Sequence, residues 1–310
     1  MQIIFEKLIL ILKLYFIISF IFLIQGCNKI KGKGDSAYIA SINKWHKERI
    51  ERLKKENGWL NLVGLYWLNE GENSFGSGLS NKIIFPKDKA PAFIGIIRLK
   101  YGRVSIKINK GIDVKSGGKY VSELNLVSDS ADNPTVLSLG SLIWVLISRN
   151  GKYGIRLRDI DATLAKNFSG IKTYPVNVDW RINAEFEPYN SPKIIPVATI
   201  IGTVEKDTVP GVLVFKVDGK EYKLDPIQEG NKFFIIFADK TNGSETYGAG
   251  RFLYASKPDS SGKVVLDFNE AYNPPCAFTK FATCPLPPEQ NYLNLKVTAG
   301  EKIYGEGHHQ

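Results

Sequence analysis

Three dipeptides, Tyr101-Gly102, Asn150-Gly151 and Asp218-Gly219, each stand between two short runs rich in β-branched and aromatic residues. Glycine at the second position accepts positive φ, and Asn-Gly and Asp-Gly are strong signals for a two-residue hairpin turn. They divide IIRLKYGRVSIKI, LIWVLISRNGKYGIRLRD and VLVFKVDGKEYKL into paired strands. In the last, Lys216 falls opposite Glu221 and Phe215 opposite Tyr222, both favourable cross-strand pairs. GWLNLVGLYWL and KFFIIFAD read as buried strands, GRFLYASKPDSSGKVVLDFN as a hairpin with a longer loop, and LNLKVTAG as a closing strand. A chain built this way is mainly β, a sandwich or barrel arrangement.

One segment breaks the pattern. Tyr38, Ile42, Trp45, Arg49 or Ile50, and Leu53 recur at spacings of three and four, which predicts an amphipathic helix over 36–56. Asp35 or Ser36 can cap it, and Asn57-Gly58 is the expected stop, with Gly58 left-handed. NFSGIKTYPVNVDWRI lacks periodicity and sets a soft boundary near residue 170. The expected organisation is a helix plus β-sandwich-like unit over 36–169, a second β unit over 170–302, and a tail over 303–310.

The first 26 residues read as a targeting signal: Lys7, then the apolar run LILILKLYFIISFIFLI broken once by Lys13, then Gly26-Cys27. The Cys directly after the cut site resembles a bacterial lipoprotein signal, which implies a diacylglycerol on the Cys27 thiol. Residues 27–35 are then a polar tether. The expected location is the bacterial cell envelope, and the expected partners are the membrane through the Cys27 lipid and a small ligand or an envelope protein. The net charge of +10 falls by one without Lys7, Lys13 and Glu6. These basic residues are scattered and form no helical stripe, which argues against nucleic acid.

Histidine is scarce: His46 on the helix, and His308 and His309 in the tail. Only His46 could serve a nucleophile, and there is no G-x-S-x-G elbow, P-loop or dinucleotide fingerprint. No cofactor is read. No metal is read either, because Cys276 and Cys284 lack C-x-x-C spacing. For these two cysteines three readings stay open: a disulfide, two buried thiols, or a reactive Cys276 with Arg251 as its cation.

The candidate ligand site is Tyr247, Arg251, Asp267, Asn269, Tyr272, Asn273 and Cys276, a polar pocket with aromatic walls and a rigid Pro274-Pro275 backing. Its alternative is a hydrogen-bonded network that fixes the fold. Arg156 and Arg158 fall on one hairpin face with Ile143, Val145 and Ile147, and are read either as an anion site or as an internal ion pair with Asp159 or Asp161. The function expected is a small-molecule or anionic-ligand binding or scaffolding module. The alternatives are a hydrolase using Asp267 and Glu270, or Cys276, and a folded spacer.

Two sets of motifs carry a resemblance. ETYGAGRFLYA with LDFNEAYNPPCAFTKFATCPLPP, and RNGKYGIRLRD with GWLNLVGLYWL, resemble the domain of unknown function 1684 family over nearly all of the chain after residue 27. That resemblance implies no activity, and the chain departs from the family pattern at Glu270, where Arg is expected, and Lys280, where Pro is expected. Residues 70–160 more weakly resemble a forkhead-associated β-sandwich, through Phe75-Gly76-Ser77, KIIFP and Ala90-Pro91. Ser77 stands where that fold places its phosphate-binding Arg, and Ala90-Pro91 where its Ser begins, so the resemblance implies the sandwich without its phosphopeptide site.

Overall fold

The computed structural model describes residues 32–305. The signal, Cys27 and the end of the tail lie outside them. The protein is mainly β, with eighteen strands in four sheets among the described residues. One long helix, α1 (Ser36–Lys54), precedes them. Its N-cap is Asp35, whose side chain accepts from Tyr38 N. Helix α1 ends at Lys55 in an extended conformation, and Gly58 has φ −72° rather than a left-handed value. Glycine is needed at 58 for a different reason: a Cβ there would lie 2.2 Å from the Leu53 carbonyl oxygen.

The first β unit has two sheets. One contains β1 (Leu62–Trp67), β6 (Lys115–Ser116), β7 (Lys119–Tyr120), β9 (Val136–Leu139), β10 (Leu142–Arg149) and β11 (Lys152–Asp159), in the order β1-β11-β10-β9-β6-β7. The other contains β2 (Gly71–Gly76), β3 (Ile83–Ile84), β4 (Gly95–Lys100), β5 (Arg103–Ile108) and β8 (Glu123–Asn125), in the order β3-β2-β4-β5-β8. Both sheets bury side chains in one core centred on Phe75, Phe85 and Trp144. In the Asn150-Gly151 hairpin Trp144 pairs with Leu157 and Leu146 with Ile155, while Ile143 pairs with Arg158 and Val145 with Arg156, which puts both arginines on the expected face. Asn150 and Gly151 take positive φ, as the two-residue turn requires. Ser77 Oγ donates to the Ala90 carbonyl at 2.7 Å, so these two positions are joined to each other.

A one-turn helix, α2 (Thr163–Lys166), leads to the second unit. There β12 (Arg181–Ala198), β13 (Val204–Val217), β14 (Lys220–Leu224) and β18 (Lys263–Asp267) pair in the order β14-β13-β12-β18. Strands β15 (Ile227–Glu229), β16 (Lys232–Phe237) and β17 (Arg251–Ser256) form a separate sheet. The Asp218-Gly219 hairpin places Lys216 against Glu221 and Phe215 against Tyr222, as expected.

Two strand expectations are corrected. Strands β17 and β18 do not form a hairpin: β17 pairs with β16, placing Arg251 opposite Phe237, and β18 pairs with β12, placing Asp267 opposite Arg181. The reason is that each strand sends its apolar residues, Leu253 and Leu266 among them, into the same core from a different sheet. The LNLKVTAG segment is not a strand either. Its alternation is real, since Leu293, Val297 and Ala299 are buried while Asn294, Lys296 and Thr298 are exposed. Its carbonyls, however, serve a side chain. Arg251, with no exposed surface, donates to the oxygens of Val297 and Ala299 and to Asp239 Oδ2 at 2.7 Å.

Removing one partner of such a buried pair leaves an uncompensated charge. Arg251→Ala is therefore expected to lower the unfolding free energy by about 3–5 kcal/mol, read from the shift of the urea denaturation midpoint. A loss below about 1 kcal/mol would contradict a structural role for Arg251.

Candidate functional site

Trp45, Arg49 and Arg52, spaced by four and three residues, share one helical stripe. That stripe faces the outer side of the β15-β16-β17 sheet, leaving a cleft of about 570 Å³. The strand period of two supplies the opposite wall. Lys232 pairs with Ser256, Phe234 with Tyr254 and Ile236 with Phe252, so these residues share one face. Phe233, Ile235 and Leu253 point the other way, into the core of the second unit. Glu270 and Tyr272 form the floor, and Trp59 and Pro275 close the remaining sides.

The helix is clamped to this floor at two points. Tyr38 donates its hydroxyl to the Asp267 carboxylate at 2.9 Å, and Asn269 Nδ2 donates to the Tyr38 oxygen at 3.0 Å. Farther along, Arg49 Nη2 donates to the Asn273 carbonyl at 2.9 Å. Arg49 Nε lies 3.5 Å from Glu301, and its guanidinium stacks 4.5 Å above the Tyr272 ring. Asn273 N in turn donates to Glu301 Oε2 at 2.7 Å.

The cleft walls are aromatic. Tyr254 and Tyr272 stack at 6.3 Å and 14°, Phe234 and Tyr254 lie 5.0 Å apart, and Trp45 is 6.2 Å from Tyr272. Tyr254 donates its hydroxyl to Glu229 at 2.8 Å. Burial raises the Tyr254 and Tyr272 hydroxyls well above the ordinary tyrosine range. Glu270 is the unusual acid. Burial first, and then the neighbouring Asp267 charge, push its carboxyl up to about 7, against the pull of Lys232, Arg52 and Arg181. His46, half-buried beside Trp45, is lowered to about 4 by burial and is neutral at neutral pH.

Of the seven residues expected to form a ligand pocket, Tyr272 lines this cleft. The others are separated from it. Arg251 is consumed inside the core, Asp267 and Asn269 clamp α1, and Asn273 belongs to the Arg49–Glu301 network. Tyr247 donates to the Cys276 carbonyl at 3.2 Å. Cys276 is buried in an apolar cluster with Ile227, Ile236 and Phe252. Cys276 and Cys284 are free buried thiols here rather than a disulfide, and Cys284 Sγ accepts from Cys276 N at 3.1 Å. Arg251 is no cation for Cys276, because Asp239 and backbone carbonyls take its donors.

Arg156 and Arg158 do not line the cleft. Arg156 is buried over Trp59, donates to Thr283 Oγ1 at 3.3 Å and lies 3.9 Å from Asp129. The acids expected to pair with these arginines are taken by lysines: Lys89 reaches Asp159 at 3.3 Å, and Lys166 reaches Asp161 at 2.8 Å. Arg49 enters the sequence analysis only as a member of the periodic stripe of the helix and Arg52 not at all, because helical periodicity does not say what the stripe faces. Lys232, Phe234 and Tyr254 were missed because one apolar run does not reveal which face meets a helix. The alternation Lys232, Phe234 and Phe252, Tyr254, Ser256 was the available signal.

The model of the family described as "Protein of unknown function (DUF1684)" matches residues 166–302. GWLNLVGLYWL and RNGKYGIRLRD lie before that span. An uncharacterized protein from gene locus rrnAC0354 of Haloarcula marismortui, solved by NMR, is 31% identical over 45% of this chain and 79% of its own, with a TM-score of 0.38. A phosphothreonine-dependent FHA domain is 17% identical over 30% of this chain and 92% of its own, with a TM-score of 0.22. The FhaA FHA domain complexed with the intracellular domain of Rv3910 is 18% identical over 30% and 97%, also with a TM-score of 0.22. No curated protein matches.

Glu270 links the cleft to pH. The folded state holds its proton more tightly than the unfolded chain, so its burial costs little below about 4.5 and progressively more up to about 7. Glu270→Gln is expected to raise the melting temperature above about pH 7 and to leave it unchanged near pH 4. An equal shift at both pH values would contradict a buried, titrating carboxyl.

Proposed function

We propose that this chain, which belongs to the DUF1684 family of proteins of unknown function, is a ligand-binding module of the bacterial cell envelope, held to the membrane by a lipid on Cys27. The observation that carries the binding reading is the cleft between α1 and the β15-β16-β17 sheet, which places Arg52 and Lys232 beside six aromatic side chains. Concave sites with mostly apolar walls and a few convergent polar groups are how proteins commonly hold small molecules. Guanidinium and ammonium groups supply charge-assisted hydrogen bonds to carboxylate or phosphate, and ring faces supply area for a flat body. The ligand is therefore a small molecule with an anionic group on a flat or apolar frame.

The hydrolase alternative draws on one observation, the Glu270 carboxyl held near neutrality in the cleft. Asp267 is engaged by Tyr38 and lies 3.7 Å from Arg181, and Cys276 is in the apolar interior, so neither supports Glu270 as a reacting partner. Binding is the better-supported reading.

The probe for it is 8-anilinonaphthalene-1-sulfonate, a flat aromatic anion whose fluorescence reports burial. The folded chain is expected to bind one equivalent, and the Arg52→Ala/Lys232→Ala double variant to bind it about tenfold more weakly, a loss of about 1.4 kcal/mol. Equal affinity in the double variant would reject the cleft as an anion site. The anchor is tested separately by the intact mass of the protein extracted from membranes. A chain beginning at Cys27 with a diacylglyceryl mass, absent in Cys27→Ser, is expected; a chain retaining residues 1–26 would reject the anchor.

A further inference from the structure

The charges in the cleft are arranged in a way that an anion alone does not complete. Glu270 has no hydrogen bond or ion pair among the described residues, whereas the acids around it are engaged. Asp267 accepts from Tyr38, Glu229 accepts from Tyr254, Glu301 meets Arg49, and Glu48 lies 4.0 Å from Arg52. Lys232, on the opposite wall, also forms no ion pair among the described residues, so it and Glu270 share the cleft without meeting within ion-pair distance. A half-buried carboxyl without a partner is costly, and the cost is recovered when a cation or donor reaches it. The surroundings suit a cation. Tyr254, Tyr272, Trp45 and Phe234 present ring surface to the same space, and aromatic faces attract an ammonium group.

We propose that the ligand of this cleft is amphoteric, an α-amino acid or similar small zwitterion with an apolar side chain. Its ammonium group meets Glu270 and the aromatic faces, and its carboxylate meets Lys232 and Arg52. This inference rests on the binding reading of the cleft and names the ligand class for it. The chemistry is complementary at both ends: a carboxylate to a guanidinium and an ammonium, and an ammonium to a carboxylate and ring faces. Arg49 contributes shape rather than ligand charge, because Asn273 O, Glu301 and the Tyr272 ring already surround its guanidinium.

Proton linkage follows from the same arrangement. The titratable and charged groups around Glu270 are Asp267 on its own turn, Tyr272 after it, Arg49 and Arg52 on α1, Lys232 on β16, Tyr254 on β17 and Arg181 on β12. The cleft holds the Glu270 proton up to about 7, and an incoming ammonium requires that proton to leave. Zwitterion binding therefore strengthens as pH rises from about 6 to about 8, whereas binding of a simple anion weakens as Glu270 becomes charged.

Three probes of one shape test this by titration calorimetry on the purified folded chain: L-phenylalanine, 3-phenylpropionate without the ammonium, and 2-phenylethylamine without the carboxylate. Near pH 8 L-phenylalanine is expected to bind at least about tenfold more tightly than either analogue. In Glu270→Gln, a near-isosteric change, the preference over 3-phenylpropionate is expected to collapse to within about threefold, and its pH dependence to vanish. Equal or tighter binding of 3-phenylpropionate by the unaltered protein would overturn the proposal, as would a preference for L-phenylalanine that survives in Glu270→Gln. Sulfonate-probe binding that depends on Arg52 and Lys232, with no heat from L-phenylalanine, would overturn the amphoteric ligand and keep the anion cleft. Loss of that dependence would instead remove the binding reading beneath it.

Discussion

Arg49 is the hinge pin of the site. Its guanidinium joins three parts of the chain that are far apart in sequence: helix α1, the Asn273 carbonyl, and Glu301 near the end of the described residues. Glu301 is almost fully buried, and burial drives its carboxyl upward while the Arg49 and Arg251 charges and the Asn273 N–H pull it back. A buried acid survives in such a place only with a cation and hydrogen bonds around it. The consequence is geometric. With Arg49 held between Tyr272 and Glu301, α1 lies at a set height over the floor, and Trp45 and Arg52, one turn away on either side, must face the sheet.

The cleft is the meeting of two periodicities. A helix repeats every 3.6 residues and offers Trp45, Arg49 and Arg52 along one stripe; a strand repeats every two and offers Phe234 opposite Tyr254. Neither pattern makes a concavity by itself. The aromatic rings are too bulky for helix and sheet to close completely, and the charged ends of Lys232 and Arg52 stay in water, so an open volume remains between them. The opposite face of the same strands buries Phe233, Ile235 and Leu253 in the core of the second unit.

The hairpin registers were legible because local chemistry decides them. Asn150-Gly151 and Asp218-Gly219 require positive φ, and a two-residue turn leaves one register open to the flanking strands. The role of Arg251 was not legible. As the first residue of a strand after Gly250 it reads like a pocket cation, and only the folded chain shows Asp239 and the carbonyls of the 293–300 segment gathered around it. The same interaction explains why that segment alternates like a strand and is not one: its side chains fill the core, while two of its carbonyls are spoken for by a guanidinium. In the polar motif Asp267–Asn273, Asp267 and Asn269 hold the helix through Tyr38, and Asn273 holds it through Arg49 and Glu301.

From the sequence alone came the mainly β class, the helix from residue 36 and three turns. These depend on φ preferences and on side-chain periodicity, which act over a few residues. Tertiary structure decided which strands share a sheet, which arginine is buried and which lines the cleft, and that a helical stripe and a sheet face enclose it. Those outcomes depend on pairing and burial between residues as distant as Arg49 and Glu301. The energy that selects them resides in the packed chain, and no short stretch of the sequence carries it.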